Sequence, residues 1–140
     1  MTESPSRTTV VCAGVVDVED GKLLLVRRKN APSAGRWSLP GGRVEQGESL
    51  KAAAAREAAE ETGLVLEIGE PVGTAEIHAG DQLLYVTDFS AKRSIASSLP
   101  LAGDDALDAR FVALGDVKSL ELADGLERWL IEHGILVDDD

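Results

Sequence analysis

The sequence predicts an α/β fold, a mixed β-sheet with helices on both faces. Two observations lead there. Strand-type apolar runs stand before and after a long alanine-rich segment of strong helix formers, and a second helical stripe closes the chain, so the order is strands, helix, strands, helix. The chain has 140 residues, 44% of them hydrophobic, which suits one core and one domain over residues 1–140, and no internal repeat or inter-domain linker interrupts it.

Residues 8–18 alternate or run apolar, "DVEDGKL" supplies a turn, and "KLLLVRR" resumes, a pattern that predicts a β-hairpin closed near Asp20-Gly21. The next stretch, "KNAPSAGRWSLPGGRVEQGE", is rich in Gly, Pro and Ser and reads as a long loop with at most a short extended piece. Loops of that length in compact domains tend to be functional. Ser49 is then placed to cap a helix over "LKAAAAREAAEET", with Gly63 at its C-terminal cap. Two strands follow, "LVLEIGEPVGTAEIHAG" and "DQLLYVTDFSA", paired across Ala79-Gly80-Asp81, and "DARFVAL" reads as a third. The last element is predicted as a helix over 119–133, with Leu122, Leu126, Trp129 and Leu130 on one stripe and Gly134 as its stop. Residues 1–7 and 137–140 read as flexible ends.

Charge excludes some functions. A formal net charge of −11 argues against a nucleic-acid polymer or an anionic membrane as partner, since both need a basic face. The first residues, "MTESPSR", are polar, and no apolar run approaches the length of a membrane span, so a soluble cytoplasmic protein is expected. Cys12, the one cysteine, lies in "VVCAGVV" and reads as a small core residue, which leaves no internal disulfide and no cysteine-based metal cluster.

At 100° per residue, Glu57, Glu60 and Glu61 fall on one arc of the predicted helix together with Leu50, Ala53 and Ala54. Glu57 and Glu61 are a like-charged i, i+4 pair, unfavourable in an isolated helix, while Lys51 and Arg56 lie toward the edges of the arc. Something else should neutralise it. One reading is a solvated acidic face; the sharper one is a hard divalent cation such as Mg²⁺, held by a few carboxylates, waters and phosphate oxygens. Between Gly21 and Val44 there is no acidic residue, yet Lys22, Arg27, Arg28, Lys29, Arg36 and Arg43 all fall there, leading into "PGG" at Pro40 to Gly42. A basic stretch entering a glycine loop beside a carboxylate helix suits diphosphate chemistry, in which arginines hold non-bridging oxygens and a metal orients the attacking water.

The spacing Gly42-x5-Glu48-x7-Arg56-Glu57-Ala58-x-Glu60-Glu61-x-Gly63-Leu64 resembles the signature of the Nudix hydrolases, with Ala58 a small occupant of a position usually held by a larger aliphatic. The resemblance implies an α/β/α sandwich around a mixed sheet. It implies that Glu57, Glu60 and Glu61 ligate Mg²⁺ or Mn²⁺, with the Gly42 carbonyl as a further ligand, and that Glu48 and Arg56 orient the loop and helix. The implied reaction is attack of water on a phosphorus of a nucleoside diphosphate linked to another moiety. Family members take their general base from a helix glutamate or from a later loop; here "AGDDALDARFV" offers Asp104, Asp105 and Asp108, of which Asp105 is chosen.

For substrate contacts the charge placement points to Arg27, Arg28 and Arg36 on phosphates, and the resemblance to Trp37 as a base stacker, with a core or loop-anchoring role as the alternative. Tyr85 lies near the tyrosine of dinucleoside polyphosphate hydrolases, Pro71 is too early for the proline of ADP-ribose hydrolases, and His78 reads as an exposed hairpin residue. ADP-ribose or another nucleotide sugar stands slightly ahead of nucleoside triphosphates. A nucleotide-sensing module and an acidic scaffold are the non-enzymatic readings, and the family allows a homodimer.

Overall fold

The computed structural model describes residues 8–138, so the end predicted flexible over 1–7, and residues 139–140 of the one predicted over 137–140, lie outside the described residues. Two four-stranded sheets form the centre. In the first, β1 (Thr8–Val16) runs parallel to β7 (Gln82–Arg93) and antiparallel to β5 (Gly41–Arg43), and β6 (Leu66–Ala79) pairs with the far edge of β7. In the second, β3 (Lys22–Arg28) pairs along its length with β8 (Ala106–Ala113), while β2 (Val18–Glu19) and β4 (Trp37–Ser38) pair with its two ends.

The β1 pairing corrects an expectation. Only Val18 and Glu19 form the hairpin with β3, through a turn whose Asp20 and Gly21 both have positive φ (52° and 72°), as a tight two-residue hairpin turn requires. β1 itself crosses to the other sheet. Its residues 12–16 are buried, and a strand with two apolar faces is best satisfied at the middle of a sheet, between two neighbours and under a helix.

Alternation along the strands divides the core. Ala13, Val15 and Leu24 face helix α1 (Leu50–Thr62) and pack with its Ala53, Ala54 and Ala58, all fully buried. Val16, Leu23 and Leu25 face the other way, toward Val117, Leu130 and Leu136. Small side chains on α1 let its backbone lie close to β1, and Ala58 belongs to that contact. Ser49 Oγ accepts the Ala52 N–H at 3.1 Å, and Gly63, at φ 71°, donates its N–H to the Ala59 carbonyl, so both predicted caps are present.

The C-terminal helix is shorter than predicted. Leu114–Ser119 forms a 3-10 helix, and α2 spans only Leu126–Glu132. Between them the chain is extended beside β4: Trp37 N–H donates to the Glu121 carbonyl and Ala123 N–H to the Trp37 carbonyl, both at 2.8 Å. Those backbone groups are used across the chain rather than along a helix. Leu122 still packs on the core, but from this extended stretch. Gly134, at φ 77°, follows the helix as its stop.

Candidate functional site

The site begins where α1 crosses β5. Register pairs Ala13 with Gly42 and Gly14 with Gly41. A methyl group on Gly42 would lie 2.4 Å from the Glu57 carboxylate carbon, so glycine is what allows that carboxylate to rest on the strand. One turn on, Glu61 accepts the Gly41 N–H at 2.8 Å. The helical i, i+4 spacing thus sets two carboxylates against two adjacent glycines.

Arg56 organises the other edge of the helix. Its Nε and Nη2 donate to the two oxygens of Glu48 at 2.8 and 3.0 Å, and Nη2 also reaches the Arg43 carbonyl at 2.9 Å. Nη1 donates to Glu57 at 2.8 Å and to Glu60 at 3.2 Å. The guanidinium fork therefore joins the loop before α1, the end of β5 and two of the three glutamates. It holds the Glu48 carboxyl down at about 2, and its own pKa is raised in return.

Glu61 is treated differently. Burial pushes its carboxyl up to about 8; the Gly41 N–H and Arg28 oppose that rise, while Glu57 and Asp105 add to it. Glu57 is also raised, chiefly by burial and against the pull of Arg56. Glu60 points outward, with its side chain 46% exposed. Among the described residues no three acidic, histidine or cysteine groups are gathered at metal-ligand geometry, because Arg56 draws Glu60 and Glu57 to one side while Glu61 stays with Gly41.

A cleft opens beside these groups on the sheet face opposite α1. Its larger part, about 700 Å³, is lined by Gly41, Gly42, Arg28, Arg43, Cys12 and Gln82, with His78 on the hairpin wall. Its smaller part, about 290 Å³, is lined by Leu39, Val86, Asp88, Leu126 and Trp129. The two share Ser38, Ile77, Val86, Ala123 and Asp124, so they form one continuous groove.

The predicted residues divide accordingly. Arg28 lines the groove, with its Nε on the Pro32 carbonyl at 2.5 Å, and Asp105 stands close enough to Glu57 and Glu61 to raise both. The loop carrying Asp105 is tied to the end of α1 by Leu101 N–H to the Thr62 carbonyl and Gly103 N–H to the Glu61 carbonyl, at 2.8 and 3.1 Å. Four others are placed differently. Arg27 Nε is spent on the Gly35 carbonyl at 2.9 Å, and Arg36 turns to the Leu122 carbonyl at 3.1 Å with Asp124 at 4.0 Å. Trp37 is the anchor rather than the stacker: it is buried in the core, with the Arg110 guanidinium 5.2 Å from its ring centre. Tyr85 pairs with Val11 and Glu76, in the strand parity opposite to the cleft-lining Leu84, Val86 and Asp88, so pleating turns it away. Asp108 is held by Arg110 at 2.7 Å, and Asp104 gives its carbonyl to Lys29.

Two groove residues were missed from sequence. Trp129 packs against the core, as its apolar stripe predicts, and it also forms a groove wall, with its Nε1 donating to the Thr74 carbonyl at 2.9 Å. Asp88 lies within a predicted strand. Its signal is its position: on the face of "LLYVTDFSA" that carries Leu84 and Val86, it is the one charged residue.

The NUDIX domain model matches residues 6–132. The chain is 35% identical over 111 residues to the ADP-ribose pyrophosphatase of Methanocaldococcus jannaschii, covering 79% of this chain and 65% of that one. It is 47% identical over 68 residues to a putative 8-oxo-dGTP diphosphatase 2 of Mycobacterium tuberculosis, covering 46% of this chain and 48% of that one. The chain thus spans less than two thirds of the length of either curated relative. The crystal structure of the MutT protein from Methanosarcina mazei Go1 superposes with a TM-score of 0.79 at 26% identity, covering 92% of this chain and 94% of that one.

Proposed function

The chain belongs to the Nudix family, and on that premise we propose that it hydrolyses the diphosphate bond of a nucleoside diphosphate linked to a further group, of the ADP-ribose or nucleotide-sugar type. The observation that carries this reading is the pair of carboxylates seated on Gly41 and Gly42, two glycines that also line a groove of about 700 Å³. The M. jannaschii relative, named an ADP-ribose pyrophosphatase, matches over 79% of this chain and supports the same choice.

The donor set fits a hard divalent cation. All the side-chain donors are oxygens, Gly42 leaves the Glu57 carboxylate the space that a methyl would fill, and Glu61 is buried with no guanidinium hydrogen-bonded to it among the described residues. Glu57, Glu60, Glu61 and the Gly42 carbonyl would hold Mg²⁺ or Mn²⁺. When bound, such an ion neutralises phosphate charge and acidifies the attacking water. Arg56 fixes Glu57 in place, and Glu48 fixes Arg56. Arg28 and Arg43, on the groove wall, bind non-bridging oxygens and orient the scissile bond. Asp105, beside Glu57 and Glu61, takes the proton of the attacking water, and Asp105→Asn is expected to lower kcat about a hundredfold.

A second reading, a nucleoside triphosphate diphosphatase, is favoured by the 47% identity to the M. tuberculosis relative. One screen separates the two. Phosphate release by a coupled phosphatase is measured with Mg²⁺ over ADP-ribose, nucleotide sugars, dinucleoside polyphosphates and nucleoside triphosphates, with Glu57→Gln alongside. Preferred cleavage of ADP-ribose or a nucleotide sugar, lost in the variant, supports the first reading; preferred cleavage of triphosphates supports the second. Absence of cleavage throughout rules out both.

A further inference from the structure

We propose that Asp88 selects the base of the substrate, accepting a hydrogen bond from an exocyclic amino group on a nucleobase seated in the smaller part of the groove. This rests on the nucleotide reading above and goes beyond it in naming the residue and the chemical group it recognises. Asp88 is only 5% exposed, lines that cavity, and takes no side-chain hydrogen bond among the described residues. Buried polar groups are rarely left unpaired, because desolvation is then uncompensated, so a groove-facing carboxyl without a protein partner calls for one on the ligand.

The surroundings say what kind of ligand. Gly14, beside Asp88 in register, has no side chain to block it: a methyl there would lie 2.4 Å from Asp88 Oδ1. The walls are mainly apolar, Asp88 is the buried charged group among them while Glu76, Asp124, Arg128 and Glu132 are exposed, and one wall is an indole, Trp129, held in place by its bond to Thr74 and by His133, whose ring centre stacks 4.1 Å away. At about 290 Å³ the cavity is at the lower end of small-molecule sites, the size for a heterocycle rather than a whole nucleotide. It opens through Ser38 and Ala123 into the part of the groove that carries Gly42 and Arg28, so a base bound here directs its phosphates toward Arg28 and the two glycines on which Glu57 and Glu61 rest. Burial pushes the Asp88 carboxyl up to about 7, and in either protonation state it keeps an oxygen that accepts.

A base with a keto oxygen where the amino group should be puts two acceptors face to face and leaves the buried carboxyl unpaired. The test compares kcat/KM for adenine against hypoxanthine and for cytosine against uracil, in matched nucleoside diphosphate conjugates, on the alkaline side of neutrality. Wild-type protein is expected to prefer the amino base of at least one pair by about tenfold or more. Asp88→Asn, nearly isosteric, should bring that ratio close to one, because an amide both donates and accepts. A wild-type ratio near one in both pairs, or a preference unchanged in Asp88→Asn, overturns the proposal. If no conjugate is cleaved, the hydrolase reading fails separately, and melting shifts with AMP, IMP, CMP and UMP decide the role of Asp88: a larger shift with the amino member, lost in Asp88→Asn, sustains it, and equal or absent shifts overturn it.

Discussion

The carboxylates along the Arg56 edge of α1 and those buried on the strand side are handled in opposite ways. Glu48, Glu57 and Glu60 share one guanidinium, and Glu48 is held at about 2 by it. Glu61 and Asp88 are buried and pushed up to about 8 and about 7, with only a backbone N–H on the first and no hydrogen bond on the second among the described residues. The difference separates carboxylates the fold already positions from carboxyls it leaves open. Arg56 fixes Glu48, Glu57 and Glu60 in place, whereas for Glu61 and Asp88 a cation or a ligand group is the missing partner.

The largest expected effect lies with the open group and its neighbour. Glu61→Gln and Glu57→Gln should each lower steady-state turnover about a hundredfold or more while leaving circular dichroism unchanged; wild-type turnover in either would remove the carboxylates from the chemistry. Next is Gly42→Ala, whose new methyl must displace the Glu57 carboxylate from 2.4 Å. Turnover should fall about tenfold to a hundredfold, with a much smaller change in melting temperature, because a shift of about an ångström costs positioning more than packing. An unaffected rate would mean that Glu57 need not rest on β5.

Arg56→Ala tests the closed side. It leaves Glu48 and Glu57 without their shared cation, so the melting temperature should drop by several degrees, and thermal denaturation checks it. The last effect is read through pH and concerns Asp17, fully buried beside Glu19. Burial, then Glu19, pushes it from 3.8 up to about 8. A raised carboxyl contributes stability that is complete below its unfolded value and is lost as pH rises through the folded one. The melting temperature of Asp17→Asn relative to wild type should therefore increase from pH 3.8 to about 8 and level off above. A difference that stays constant across that range would mean Asp17 is already ionised in the fold.

The same contrast explains what could be read in advance. Helix α1 and its caps were legible because Ser49, the alanines and Gly63 act through neighbours within a few residues. The spacing of Gly42, Glu48, Arg56 and the glutamates was legible for the same reason, since one loop and one helix carry it. Pairing was not. An apolar run says that β1 is buried but not that β7 and β5 are its neighbours, and the hairpin drawn from Thr8 onward failed there. Nor could the stripe over 119–133 show that Trp37 would take the backbone of Glu121 and Ala123 away from a helix. The groove depends on which strand face meets which loop, and the sequence of β7 does not show that Asp88 faces the groove and Tyr85 the other side.

The most direct test of the open-carboxylate claim is the melting temperature of wild type, Glu57→Gln and Glu61→Gln as MgCl₂ is titrated. A ligand that binds the folded state raises stability by about 2.7 kcal/mol at a hundred times its dissociation constant. Wild type should show a saturable rise of several degrees that is largely lost in both variants. A rise of equal size in all three, or none in wild type, would mean that the partner missing from Glu61 is not a divalent cation.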